Sequence, residues 1–381
     1  MIPHEPADTM QDAAASSPLR RERRVRVLLT GGTLGMRRDP ATGSLRPVRG
    51  HLAKALDALL RDPETGARRA SFPAVVVEEF PDPMDSSDMG PPEWRRIAED
   101  VFDFYDAFDG FVVVMGTDTM AYAGSALAFM LDGLGKPLVL TGAMLPLEHE
   151  LTDAQRNLFL SIQIASLGLF PEVVVCFNDV VLRACRCKKV AAERLNAFES
   201  PNLPPLAVIG TELVVQNSLV LPHPTKPLEL FPEMNRDVLA LKLLPGLGLD
   251  ALGALLAATP PLKAVVLELY GSGNAPQRVV VDAVRRATAL GVLVVVLSQC
   301  HRGWVDLGAY RNGRLLLEAG VVSGGDMTLE ACVVKLAHLL GRGLPRDRVA
   351  ALVATNMRGE LTRELPLEAR FSPSLPVRSV L

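Results

Sequence analysis

A chain of 381 residues can bury a large core, and its formal net charge of −3 excludes the broad basic balance that draws proteins to nucleic acid or anionic lipid. Apolar residues make up 49%, yet no run approaches the roughly 20 apolar residues that a membrane span requires. Nothing repeats at a period of about 20–50 residues, so the length favours two domains.

Residues 1–24 hold Pro, Ser, acidic residues and the basic run Arg20-Arg21-Glu22-Arg23-Arg24, without the apolar centre of a secretory signal. They read as a disordered tail, and a cytoplasmic location is expected. Strands are expected at 25–30, 74–78, 110–116, 137–141 and 173–177, with helices at 50–60, 92–108, 121–131 and 153–167. Short Val- and Leu-rich runs alternating with helical segments indicate a doubly wound mixed or parallel sheet, here an N-terminal α/β domain over 25–216. Residues 217–237 carry Pro222, Pro224, Pro227 and Pro232 and read as a linker. Strands at 239–243, 264–269 and 291–297, with helices at 279–290 and 328–340, then predict a smaller C-terminal parallel-sheet α/β domain over 238–381. Five cysteines include Cys185 and Cys187, too close in sequence for an ordinary bridge, and reduced thiols are expected.

The chemistry-bearing residues fall at the ends of these strands. The first runs into Thr30-Gly31-Gly32-Thr33-Leu34-Gly35-Met36, where glycines permit a sharp turn and expose backbone amides. This turn lacks both the G-x-G-x-x-G spacing and the Lys of a P-loop, which argues against nucleotide binding. The third strand ends in Gly116-Thr117-Asp118-Thr119, and if both strands share one sheet, Thr33 and Thr117 leave the same edge and face one ligand. Asp85-Ser86-Ser87-Asp88-Met89 follows the second strand and suits either a small polar ligand or the cap of the next helix. Asp118 is likewise either a helix cap or a functional carboxylate. The latter reading wants a basic partner, and Arg183, Arg186, Lys188 and Lys189 follow the fifth strand, where a desolvated Lys can act as a base. Spacing alone does not choose among them.

The segments TGGTLGM (30–36), DSSDM (85–89), GTDTMAYAGSAL (116–127), LTGAMLPL (140–147), the stretch from about Lys189 to Asn202 that ends in FESPN, and YGSGNAP (270–276) together resemble the cytoplasmic, type I branch of the bacterial-type L-asparaginases, mammalian members included. The likeness extends in order from about residue 25 to 362. It implies that a Thr attacks the side-chain amide of asparagine, releasing ammonia and leaving an acyl-enzyme that water converts to aspartate, with no metal or organic cofactor. Matched motif by motif, Thr33 is the implied nucleophile, and Thr117, Asp118 and Lys189 form a second, triad-like group. Ser86, Ser87, Asp88, Thr117 and Asp118 match substrate-binding positions. The resemblance also implies a homo-oligomer, dimer or tetramer, whose neighbouring chain closes each site through Asn274.

Some positions depart from the family. Lys188 stands where a Thr is usual before the catalytic Lys, and its charge is expected to help keep Lys189 neutral. Met115 replaces a frequent His, and Leu45 falls near the place of an activating Tyr, which leaves Tyr310 to activate Thr33. Bacterial type I relatives have a second, regulatory asparagine site; at three of its positions this chain has Lys188, Glu268 and Cys300, and only the Cys matches, so hyperbolic kinetics are expected. Two other readings stand beside L-asparagine hydrolysis: a glutaminase or tRNA-amidotransferase-type amidase on the same fold, and a non-catalytic amino-acid sensor or scaffold.

Overall fold

In a computed structural model, residues 21–246, 253, 262–362 and 378–379 are described. The first twenty residues of the expected tail and the end of the expected C-terminal domain lie outside them. Nine strands form the large sheet, in the spatial order 378–379, Leu213–Val215, Ala207–Ile209, Val180–Arg183, Val173–Phe177, Leu138–Thr141, Gly110–Val114, Arg24–Gly31 and Ala74–Met84. The five strands from Val173–Phe177 to Ala74–Met84 are mutually parallel, and the other four add on antiparallel. A second sheet of four parallel strands, Val238–Lys242, Ala264–Leu269, Leu293–Ser298 and Val322–Ser323, forms the smaller C-terminal domain. The expected fold class is thus the observed one.

Strand order reverses beside Arg24–Gly31. The chain first crosses to the edge strand Ala74–Met84, then returns to Gly110–Val114 on the other side. Such a switch point opens a crevice at the carboxyl ends of the strands. Arg24–Gly31 and Gly110–Val114 pair in register, with Leu29 opposite Val114, so the turns after them emerge side by side.

Alternate residues of these strands face two cores, because side chains on a strand point to opposite faces. Leu28, Phe111 and Val113 meet the helices Pro91–Asp103 and Met120–Met130, while Val27, Leu29, Val112 and Val114 meet His51–Leu59 and Ala154–Leu167. Ten of the eleven residues of Met120–Met130 are buried, which a helix tolerates only when covered on every side. Its second cover is the C-terminal-domain helix Leu329–Gly341, whose Ala331 and Val334 join the same core.

Several differences from the expected elements have physical reasons. Ala74–Met84 continues six residues beyond the expected strand, through Pro81 and Pro83. It is an edge strand, where a residue without an N–H is tolerated. The third strand stops at Val114 rather than Gly116, since Met115–Thr117 turns into the crevice. The helix from Pro91 ends at Asp103, and a short 3-10 turn, Tyr105–Ala107, completes the expected span. Within the proline-bearing stretch 217–237, Leu228, Leu230 and Met234 pack partly buried against the first domain, and Glu229–Leu230 pairs with Leu131–Asp132. All five cysteines are free.

Candidate functional site

The first turn is held against the third by contacts that only glycine permits. Gly32 has φ +85°, and a Cβ there would lie 2.3 Å from the backbone N of Gly116. A Cβ on Gly116 would lie 2.5 Å from Ser86 Oγ. Three strand-end segments therefore meet at van der Waals distance. Thr119 Oγ1 adds a hydrogen bond to the Ser86 carbonyl at 2.7 Å.

These segments enclose a cavity of about 170 Å³ lined by Thr33, Asp85, Ser86, Thr117, Asp118 and Lys189, together with Gly32, Met36, Gly116, Ala143, Met144 and Ala192. Lys189 arrives from the short strand Lys188–Lys189, paired antiparallel with Phe198–Glu199. Its Nζ donates to Thr117 Oγ1 at 2.8 Å and to Asp118 Oδ1 at 2.6 Å. Thr117 is 6% exposed, whereas the Asp118 side chain is 64% exposed, so the carboxylate meets both the lysine and any ligand entering the cavity. Thr33 opens the 3-10 turn Thr33–Gly35 and is half-buried.

Ser86 is buried on the cavity wall. Asp85 lines it too, and its Oδ1 accepts from Ser87 N at 2.9 Å, so this carboxylate both caps a turn and faces the ligand space. Ser87 and Asp88 sit exposed on the following turn, away from the lining. Asn274 and Tyr310 belong to the C-terminal domain and do not line the cavity of their own chain. Asn274 Oδ1 accepts from Ala275 N and from Asn312 Nδ2, and Tyr310 is 56% exposed at the start of the helix Arg311–Glu318. Nothing in the sequence marks Met144 beyond its place in LTGAMLPL, since a thioether gives no signal of its own.

The segment that leads into Lys189 is tied down from the second domain through Arg186. Arg186 is 2% exposed; it donates to both carboxylate oxygens of Asp326, to the Glu360 carbonyl and to Thr362 Oγ1. Burial pushes the Asp326 carboxyl up, but Arg186 and Thr362 outweigh it and hold the group below its ordinary value. A larger cavity of about 340 Å³ lies beneath Pro222 and Pro224. Its charged groups pair with one another, Asp132 with Arg358 and Lys226 and Arg183 with Glu172.

Comparison with known proteins identifies the family. The sequence model for the N-terminal domain of asparaginase matches residues 24–221, and that for the glutaminase/asparaginase C-terminal domain matches 237–353. The chain belongs to the asparaginase family. L-asparaginase 1 of Escherichia coli (strain K12) is 40% identical over 337 residues, covering 88% of this chain and 97% of that protein. The 60 kDa lysophospholipase of Homo sapiens is 38% identical over 373 residues, covering 93% of this chain and 64% of that protein. Among solved structures, L-asparaginase I from Vibrio cholerae superimposes with a TM-score of 0.81 at 36% identity, over 90% of this chain and 100% of that one. The thermostable L-asparaginase from Thermococcus kodakarensis gives 0.80 at 34%, over the same shares. The segments that carry the resemblance, the stretch 189–202 included, thus supply every lining residue of the smaller cavity. No helix among the described residues is long and apolar enough to cross a membrane.

Proposed function

We propose that this chain is an L-asparagine amidohydrolase that releases L-aspartate and ammonia through a threonine acyl-enzyme. The observation that carries the reading is the hydrogen-bonded Thr117–Lys189–Asp118 group in one cavity with Thr33. Thr33 Oγ attacks the side-chain amide carbon of asparagine and gives up its proton; the C–N bond breaks, and the nitrogen leaves as ammonia carrying that proton. Water, deprotonated by the Lys189–Thr117 pair, then cleaves the ester, restoring the Thr33 hydroxyl and freeing aspartate. The Gly32–Thr33 and Gly116–Thr117 amides supply fixed dipoles for the developing oxyanion.

Asp118 holds Lys189 and binds the substrate ammonium, while Ser86 on the cavity wall serves the α-carboxylate end; Ser87 and Asp88, exposed on the turn beyond it, take no direct part. Tyr310 and Asn274 reach a site only from a neighbouring chain, which fits a cytoplasmic homo-oligomer with composite sites; light scattering of the purified chain tests the assembly. No metal or organic cofactor enters the scheme.

Ammonia release with L-asparagine and with L-glutamine, for the wild type and for Thr33→Ala, Thr117→Ala and Lys189→Met, tests the function. Groups that act as a unit lower turnover by roughly 10³–10⁶-fold when removed. A variant retaining more than about a tenth of the wild-type rate would overturn its residue's role. A preference for glutamine would favour the amidase alternative, and an inert wild type the sensor.

A further inference from the structure

The helix Ala154–Leu167 begins at Asp153, a residue type suited to bonding the free amides of its own helix, yet the side chain makes no such bond. Thr152 takes that place, with Oγ1 accepting from Ala154 N at 3.0 Å. Asp153 is turned across to the loop after Leu138–Thr141. Its Oδ1 and Oδ2 accept from Met144 N at 3.1 and 3.0 Å, and Oδ1 accepts from Leu145 N at 3.1 Å.

One helical turn on, Asn157 is 2% exposed and braces the same loop. Its Nδ2 donates to Asp153 Oδ2 at 3.1 Å and to the Gly142 carbonyl at 3.0 Å, while its Oδ1 accepts from Asn178 N at 3.0 Å. A local rule broken by a well-bonded pair points to a use elsewhere.

That use lies at the tip of the loop. Thr117 Oγ1 donates to Met144 Sδ at 3.8 Å and receives Lys189 Nζ at 2.8 Å. A hydroxyl has one proton to place, and while Lys189 donates, the Met144 thioether is the acceptor offered to it among the described residues. A thioether accepts weakly, so the proton is steered without being held tightly and can turn onto Lys189 once that nitrogen has a free lone pair.

We propose that Asp153, braced by Asn157, is a positioning residue for the Thr117 hydroxyl, acting through the Met144–Leu145 backbone and the Met144 sulfur. The inference rests on the amidohydrolase reading above. It concerns the reacting group rather than substrate affinity, so kcat and KM should separate.

The test uses the full chain with L-asparagine and the variants Asp153→Asn, Met144→Leu and both together. Met144→Leu conserves volume and removes only the acceptor. Each single variant is expected to lower kcat about tenfold or more with KM moving less than threefold, as small misplacements of reacting groups do. The double variant should lose little beyond Asp153→Asn, because both changes act on one chain of contacts. Wild-type kcat in Met144→Leu, additive losses in the double variant, or a KM rise that matches the kcat loss overturns the proposal. Should Asp153→Asn unfold, Met144→Leu decides alone. A wild type that releases no ammonia overturns both readings, whereas an active wild type with an indifferent Met144→Leu overturns this one only.

Discussion

Lys188 and Lys189 leave their two-residue strand on opposite sides: Lys189 Nζ is 2.6 Å from Asp118, in the cavity, while Lys188 Nζ is 3.9 Å from Glu330 on the C-terminal-domain helix Leu329–Gly341. Alternation along a strand separates neighbours in sequence. Each ammonium also has its own carboxylate. The expectation that Lys188 tunes Lys189 by charge therefore loses its geometric basis. Lys188→Thr is expected to leave the pH–rate profile unmoved. A displaced profile of kcat/KM against pH would restore the coupling.

Gly32→Ala places a Cβ against the Gly116 backbone in a left-handed conformation. It is expected to lower unfolding stability by about 2 kcal/mol or more, measured by urea titration. Gly116→Ala meets the Ser86 hydroxyl instead, a side chain able to yield. Its main effect should be a raised KM for asparagine with a smaller stability loss.

Much of this arrangement was legible because strand ends carry an unusual density of Gly, Thr and Asp, and core strands do not. Thr33, Thr117 and Asp118 stand out for that reason. Choosing Lys189 over Lys188 took the motif, since two adjacent lysines look alike until a strand sends them to opposite faces. Asp153 hid as an ordinary helix cap, and only its turned carboxylate separates it from one. The antiparallel strands at Ala207–Ile209 and Leu213–Val215 are three residues each, too short for a periodic pattern to register.

His338 is fully buried, and neither ring nitrogen has a hydrogen-bond partner among the described residues. Burial, reinforced by Arg342 and Arg358, pushes its pKa down to about 3. Its folded value lies below the unfolded one, so between about pH 6.5 and 3 the unfolded chain binds more protons and stability falls as the solution is acidified. The slope contributed is up to about 1.4 kcal/mol per pH unit. His338→Leu should flatten the pH dependence of the urea midpoint in that window. An unchanged slope would contradict it.

Lys335 and Glu360 form an ion pair with both side chains at 0% exposure, and Lys335 Nζ also donates to the carbonyls of Val353 and Thr355. Lys335→Met would strand the Glu360 carboxylate. It is expected to destabilise the fold by about 3–5 kcal/mol, and Lys335→Met with Glu360→Leu should recover part of that. Thermal unfolding of the single and double variants distinguishes a charge effect from a packing effect.

Lys188, Glu268 and Cys300 line a separate cavity of about 140 Å³. Glu268 would oppose a ligand carboxylate there. Asparagine hydrolysis is expected to follow a hyperbolic rate curve, and a sigmoidal one would show that this cavity accepts the substrate despite its acidic wall.

The helix Met120–Met130 begins directly after Thr117–Thr119 and is walled by the large sheet on one side and by Leu329–Gly341 on the other. An exchange of C-terminal domains between relatives would therefore reach Thr117 even if every cavity residue were kept. The two halves are not interchangeable parts: a working chimera must carry the matching face of Leu329–Gly341 with Met120–Met130. Divergence within such a lineage would show as paired substitutions across that seam.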